Sequence, residues 1–246
     1  MPKLFRSQRN DSLPEVRKGR YFLYFLGELL LLVSGILIAL QVNNWNESRK
    51  AEQQRISLTE SIIFDLNRDL TNLNAAIEIF SGEIGAIEQM EARLTDSRAT
   101  PDTLIQIARF ENDPSMPAFV SYSTGTYESM MATGSVELID RDLFDKLQQL
   151  YQLHDVELYY RTGNYDISKD LLAGYLAMFP IEMGVIRSGP IYDAIWRSVD
   201  PIELAKQFNA ITTMKFFMLN SSLHMYREIA KATEEAIEVF SESIPR

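Results

Sequence analysis

The chain has 246 residues, of which 46% are hydrophobic and 24% are charged, and its formal net charge is −10. These proportions allow a packed core and exclude a disordered chain. The absence of cysteine excludes disulfides and thiolate metal sites, and the acidic balance argues against nucleic acid as a partner. Glycine and proline are few and clustered, which favours helices, so we expect an all-α fold.

An apolar segment of 22 residues, 21–42, contains a single ionisable residue, Glu28. As a helix it would be about 33 Å long, enough to cross the ~30 Å hydrocarbon core of a bilayer. A cleaved signal peptide has a shorter apolar region followed by small residues, so this segment is predicted to be a permanent transmembrane anchor. Residues 1–20 carry a net charge of +4, which predicts a basic tail in the cytoplasm and places the rest of the chain, 43–246, outside.

Helical spacing places Glu28, Leu32, Gly35 and Ala39 on one face of the anchor. The pair Gly35 and Ala39 would allow close approach of another helix, and a carboxylate within the bilayer is costly unless it is paired. We therefore predict that this face contacts a partner inside the membrane. The alternative is that Glu28 is protonated or reaches the inner headgroups beside Arg20 or Tyr24.

The sequence of the anchor and the residues after it resembles a family of bacterial single-pass membrane proteins of unknown function. The likeness is carried by Tyr21, Tyr24, Gly27, Glu28 and the run GILIALQVNNWNE that begins at Gly35. A weaker likeness runs from Thr126-Tyr127-Glu128-Ser129 through Gly134, Leu138 and Ile139 to Leu143 and Tyr151. The resemblance implies a bacterial inner-membrane protein with a periplasmic region 43–246 and supplies no catalytic residue.

Beyond the anchor, the helix is predicted to continue to Leu94, because neither glycine nor proline occurs between Gly35 and Gly82. Its apolar residues form a heptad seam of the coiled-coil type, expected to pack on later helices of the same chain: Ile63, Leu66, Leu70, Leu73, Ile77, Phe80, Ile84 and Ile87. The alternative is that this seam packs on another subunit.

Later helices are predicted from their end signals. Thr100-Pro101 and Asp200-Pro201 have the form of a cap followed by a first-turn proline, Gly134 ends a helix at 124–133, and Asp140 caps a helix that reaches Phe179. The three long helices, approximately 48–94, 141–179 and 201–241, are expected to form an antiparallel exterior bundle.

Few residues in this region suggest chemistry. The hydroxyl-rich run 121–127 is most simply explained by capping of the helix that follows, with Tyr122 and Tyr127 packed. The two histidines, His154 and His224, match no ligand spacing, so they are expected to be packed or solvated, with no metal or cofactor.

We therefore expect a non-catalytic accessory subunit of a larger membrane complex. It would dock through its transmembrane helix, and its partners would be the lipid bilayer and other integral membrane proteins, with self-association an open alternative. A respiratory or photosynthetic assembly is one candidate host. The alternative function is a membrane-anchored periplasmic sensor or small-ligand-binding module, since helical bundles can hold ligands between helices.

Overall fold

The computed structural model describes residues 16–181 and 184–245, and the predicted basic tail therefore lies largely outside the described residues. The regular secondary structure of the described residues is helical, and they contain no strand. The six α-helices are α1 (Val16–Leu94), α2 (Pro101–Phe110), α3 (Gly125–Thr133), α4 (Arg141–Met178), α5 (Pro190–Arg197) and α6 (Pro201–Glu242). A short 3₁₀ turn, Ser135–Leu138, links α3 to α4. The all-α prediction is confirmed.

The chain divides into two compact units, one ending at Gln54 and one beginning at Arg55. In the first unit every residue from Phe22 to Val42 is exposed, so its apolar side chains pack on nothing within the described residues of that unit. In the part of the chain that the structure describes, α1 is the one helix long and apolar enough to cross a membrane, and the apolar stretch lies near its N-terminus. This exposure distinguishes the stretch from the core helix of a globular protein.

The helix ends lie where local sequence signals predict them. Asp200 caps α6, because its carboxylate accepts a hydrogen bond of 2.8 Å from the backbone N–H of Ile202. Gly134 ends α3 with a φ of 73°, a left-handed conformation that glycine adopts without strain. Asp140 precedes α4 but makes no side-chain capping bond.

The second unit is built around the three long helices. Glu83 of α1 pairs with Lys215 of α6, and further toward the C-terminus of α6 Ser243 binds Arg55 of α1, so these two helices are antiparallel. Helix α4 packs along α6, also in antiparallel orientation, with Lys146 beside Glu235. It follows that α1 and α4 run in the same direction, so the predicted antiparallel arrangement holds only for the pairs that include α6.

The predicted seam of α1 packs within the chain, and its register differs in part from the prediction. Leu66, Leu73 and Phe80 are fully buried as expected. Leu70 is only partly buried, and Asp69 beside it is fully buried instead. The same exchange occurs two turns before and two turns after: Ile62 and Ala76 take the buried positions, and Ile63 and Ile77 are partly buried. The physical reason is that Asp69 has polar partners in the core, described below.

Candidate functional site

The four predicted docking residues of α1 lie on one stripe, as their helical spacing requires. Glu28, Leu32, Gly35 and Ala39 are all exposed, with Leu32 63% accessible. Among the described residues, none lies within 4 Å of a Cβ built on Gly35, so this face has room for a neighbouring helix to approach closely. The contact with a partner remains a prediction.

A second arrangement, not foreseen from the sequence, surrounds the non-helical segment 111–124 between α2 and α3. Because this segment is neither helix nor strand, its polar backbone groups have no regular ladder of backbone partners. Side chains from the three long helices bind several of them. We refer to residues 111–124 as the clamped segment.

The first bond to the clamped segment comes from Asp69 of α1, which is fully buried. Its two carboxylate oxygens accept the backbone N–H of Ser123 at 3.0 and 2.9 Å, and one accepts the Ser123 hydroxyl at 2.5 Å. Arg68 donates to the same hydroxyl oxygen at 2.5 and 2.8 Å. Burial raises the pKa of Asp69, and the hydrogen bonds from Ser123 act in the opposite direction.

These contacts correct the capping interpretation of the run 121–127. The residue before α3 is Thr124, and its side chain makes no capping bond. The neighbouring hydroxyls donate hydrogen bonds to α1 instead: that of Ser123 to Asp69, and that of Thr126 to Asp65 at 2.5 Å. The run therefore fastens the clamped segment and the start of α3 to the long helix.

Further bonds come from α4 and α6. Tyr151 of α4 donates its hydroxyl to the carbonyl oxygen of Ser123 at 2.7 Å, and Arg161 of α4 donates to that of Val120 at 2.6 Å. The N–H of Val120 donates to the hydroxyl of Tyr226 on α6 at 3.4 Å. Backbone groups of the clamped segment thus obtain partners from both helices.

At the other end of the clamped segment lies a buried cation. Lys215 of α6 is 5% exposed, and its Nζ donates to Glu83 Oε2 at 2.6 Å and to the carbonyl oxygen of Asp113 at 2.7 Å. A buried ammonium is stable only when it is paired and hydrogen-bonded. Here one cation connects α6, α1 and the clamped segment.

His154 lies beside the clamped segment in an aromatic stack. Its ring is parallel to that of Tyr122, with the centroids 3.9 Å apart, and Tyr151 meets it edge-on at 5.2 Å. Neither imidazole nitrogen has a hydrogen-bond partner in the described residues, and burial lowers the pKa of His154 to about 4. The expectation of a packed imidazole is confirmed for His154, while His224 is exposed.

One turn further along α4, Glu157 is 1% exposed and forms an ion pair of 3.3 Å with Arg161. Burial raises the pKa of Glu157, and the guanidinium of Arg161 opposes that shift. Arg161 therefore has two roles, since it also holds the carbonyl of Val120. The buried polar groups around His154 fix the position of the clamped segment between α1, α4 and α6.

A third feature is a cleft of about 840 Å³ in the second unit, bounded by the C-terminal end of α1, the start of α2 and the first turns of α6. Its lining is mostly apolar and includes Ile87, Met90, Leu104 and Phe208. No local pattern in the sequence predicts this cleft, because it is formed by residues from three separate parts of the chain. Within the described residues no group of three or more His, Cys, Asp or Glu side chains is placed to hold a metal ion.

Residues 28–174 match the model of a family of unknown function, DUF6090. This match covers more than half of the chain, and the chain therefore belongs to that family. It contains most of the anchor sequence and the whole of the second segment, 126–151, on which the sequence resemblance rests. A search of curated proteins and a search of solved structures each found no match.

Proposed function

We propose that the protein is a non-catalytic accessory subunit of a larger membrane complex in the bacterial inner membrane. Its N-terminal tail would lie in the cytoplasm, α1 would cross the bilayer through residues 21–42, and the helical unit would lie in the periplasm. The partners would be other integral membrane proteins, and a respiratory or photosynthetic complex is one candidate host.

The observation that carries the proposal is the complete exposure of the apolar stretch from Phe22 to Val42. Soluble proteins rarely expose a continuous apolar surface of this size, so a bilayer or a partner is needed to cover it. The net charge of +4 on residues 1–20 supports the cytoplasmic side for the N-terminus. The sequence likeness to single-pass bacterial membrane proteins supports the proposed location in the bacterial inner membrane.

A docking role is supported by the stripe that contains Glu28, Gly35 and Ala39. Between membrane helices the hydrophobic effect supplies little driving force, so association depends on close packing and on polar contacts. Gly35 offers close packing, because no described residue lies within 4 Å of a Cβ built on it, and Glu28 offers a polar contact. The helical unit is suited to bracing partners, since its irregular segment is held by three long helices.

The experiment is purification of the full chain from membranes in mild detergent, followed by mass spectrometry of co-purifying proteins. The stripe variant Gly35→Leu is expected to lose partners because its bulk blocks close helix approach. Gly27→Leu is the matched control, since Gly27 lies on the same helix, has equal space around it and is off the stripe.

Glu28→Gln then separates packing from charge, because it retains the shape and a hydrogen-bonding group. Loss of partners in both Gly35→Leu and Glu28→Gln indicates a charged or strongly polar partner group, and loss in Gly35→Leu alone indicates a packed interface. Equal partners in wild type and all three variants would contradict docking through this stripe.

A further inference from the structure

The cleft at the Leu94 end of α1 has the dimensions of a small-molecule site. Its volume of about 840 Å³ lies within the range of roughly 300–1,000 Å³ that is typical of such sites. Phe208 and Leu104 are buried in its wall, and Ile202 stands at its exposed edge, 68% accessible. An apolar recess of this size in an otherwise packed unit is an available binding surface.

The polar residues of the cleft restrict what it would accept. Glu91 is the one ionisable residue among the described residues of the lining, and its carboxylate is exposed and forms no salt bridge or hydrogen bond within them. Thr212 also lines the cleft, and its hydroxyl is buried without a hydrogen-bond partner in the described part of the chain. Asn209 adds a carboxamide on the same helix.

We propose that this cleft binds an apolar small molecule that carries a protonated amine. The apolar part would cover the wall formed by Met90, Leu104 and Phe208, which removes apolar surface from water. The ammonium group would pair with the carboxylate of Glu91. A fatty acid or another anionic amphiphile would place like charges together at Glu91.

The proposal is independent of the accessory role. It gives the alternative function, a small-ligand-binding module, a defined site and a ligand class. Because the site lies in the second unit, its test uses variants other than those of the transmembrane stripe.

The absence of cysteine allows a direct test on the full chain in lipid nanodiscs. The variant Ile202→Cys introduces a single cysteine at the exposed edge of the cleft, and this cysteine is labelled with bimane. The bimane fluorescence then reports whether the cleft is occupied. The probes are hexylamine, 1-hexanol and hexanoate, which share one chain length and differ in head-group charge at pH 7. We expect hexylamine to bind about three- to fivefold more tightly than hexanol, as an ion pair with an exposed carboxylate allows, and hexanoate to bind most weakly.

Two comparisons assign the effect to the cleft. Glu91→Gln should reduce hexylamine binding to the level of hexanol and leave hexanol unchanged, because only the charge is removed. Ala205→Trp should fill the cleft and weaken hexylamine and hexanol about tenfold, as loss of their apolar contacts requires. The matched control is Ala210→Trp, since Ala210 lies on the same helix, is also exposed and does not line the cleft.

The proposal is wrong if hexanoate binds as tightly as hexylamine, or if hexylamine and hexanol bind equally to the wild-type cleft. It is equally wrong if Ala205→Trp and Ala210→Trp behave alike, or if no probe gives a saturable response. Thermal unfolding of each variant shows whether the fold is retained. A negative result here leaves the co-purification experiment on Gly35 unaffected, so the failures of the two proposals are distinguishable.

Discussion

The buried carboxylate of Asp69 binds both the backbone N–H and the hydroxyl of Ser123, a residue 54 positions further along the chain. This contact joins the core face of α1 to a segment that has no regular secondary structure. A carboxylate at a fully buried position is tolerated because its oxygens receive these hydrogen bonds. The contact therefore holds the clamped segment and explains the register of α1.

Removal of the Ser123 hydroxyl should destabilise the second unit. Ser123→Ala deletes one donor to Asp69 and is expected to lower the free energy of unfolding by about 1–3 kcal/mol, because a buried carboxylate oxygen loses one of its two donors. The measurement is urea unfolding of the full chain in detergent, followed by the fluorescence of the buried Trp196. Ser121→Ala, at an exposed position two residues earlier, should change little. Equal effects of the two substitutions would contradict this account.

The register of α1 can be tested by truncating two leucines of the predicted seam. Leu73→Ala creates a cavity at a position that is 0% exposed, and we expect a loss of about 2–5 kcal/mol. Leu70→Ala should cost less, because Leu70 is only partly buried against the core. The same unfolding experiment compares them. A larger effect at Leu70 would mean that the seam packs on another subunit or in the other register.

His154 should make the fold sensitive to acid. Its pKa is lowered by burial to about 4, compared with 6.5 for a free imidazole, so the unfolded chain takes up a proton at a higher pH than the folded chain does. Above pH 6.5 His154 is neutral in both states and does not make the free energy of unfolding depend on pH. As the pH is lowered from 6.5 toward 4, the free energy of unfolding falls by up to about 3 kcal/mol because of His154. The raised pKa values of Glu157 and Asp69 act in the opposite direction, because the folded chain binds their protons more readily.

The effect of His154 is therefore measured by difference. His154→Phe keeps an aromatic ring against Tyr122 and removes the titrating group, and its free energy of unfolding should fall less than that of wild type between pH 6.5 and pH 4. His224→Phe, at an exposed position, should follow the wild-type profile. Parallel profiles for wild type and His154→Phe would show that His154 does not set the acid sensitivity.

Topology is the prediction that bears most directly on the proposed function. A reporter fused after Arg246 should behave as an exported protein, because the basic residues precede the apolar stretch. In intact spheroplasts, external protease should remove nearly everything beyond Asn46. Protection of the C-terminal region would place the helical unit on the other side of the membrane.

The sequence predicted the helices well because their end signals are local. Asp200-Pro201 and Gly134 determine where a helix begins or ends through bonds and dihedral angles within a few residues. The apolar anchor is recognisable for the same reason, since length and composition suffice. These features require no knowledge of what packs against them.

The clamped segment could not be predicted, because its partners are distant in sequence. Lys215 binds the carbonyl of Asp113 across 102 residues, and Tyr226 accepts the N–H of Val120 across 106. Asp69 looks like a solvated helix residue until Ser123 is placed beside it. The one available signal was a carboxylate adjacent to an apolar seam, which in isolation is more typical of an exposed position.

The clamped segment also has a consequence for the order of folding. The bonds of the Val120 N–H and of the Asp113 carbonyl require side chains of α6, so they cannot form until the last helix has been synthesised and has docked. Contacts between residues about a hundred positions apart slow folding, because the chain must first close long loops. The amide proton of Val120 should therefore become protected from hydrogen exchange late, with the closure of the whole unit rather than with any single helix.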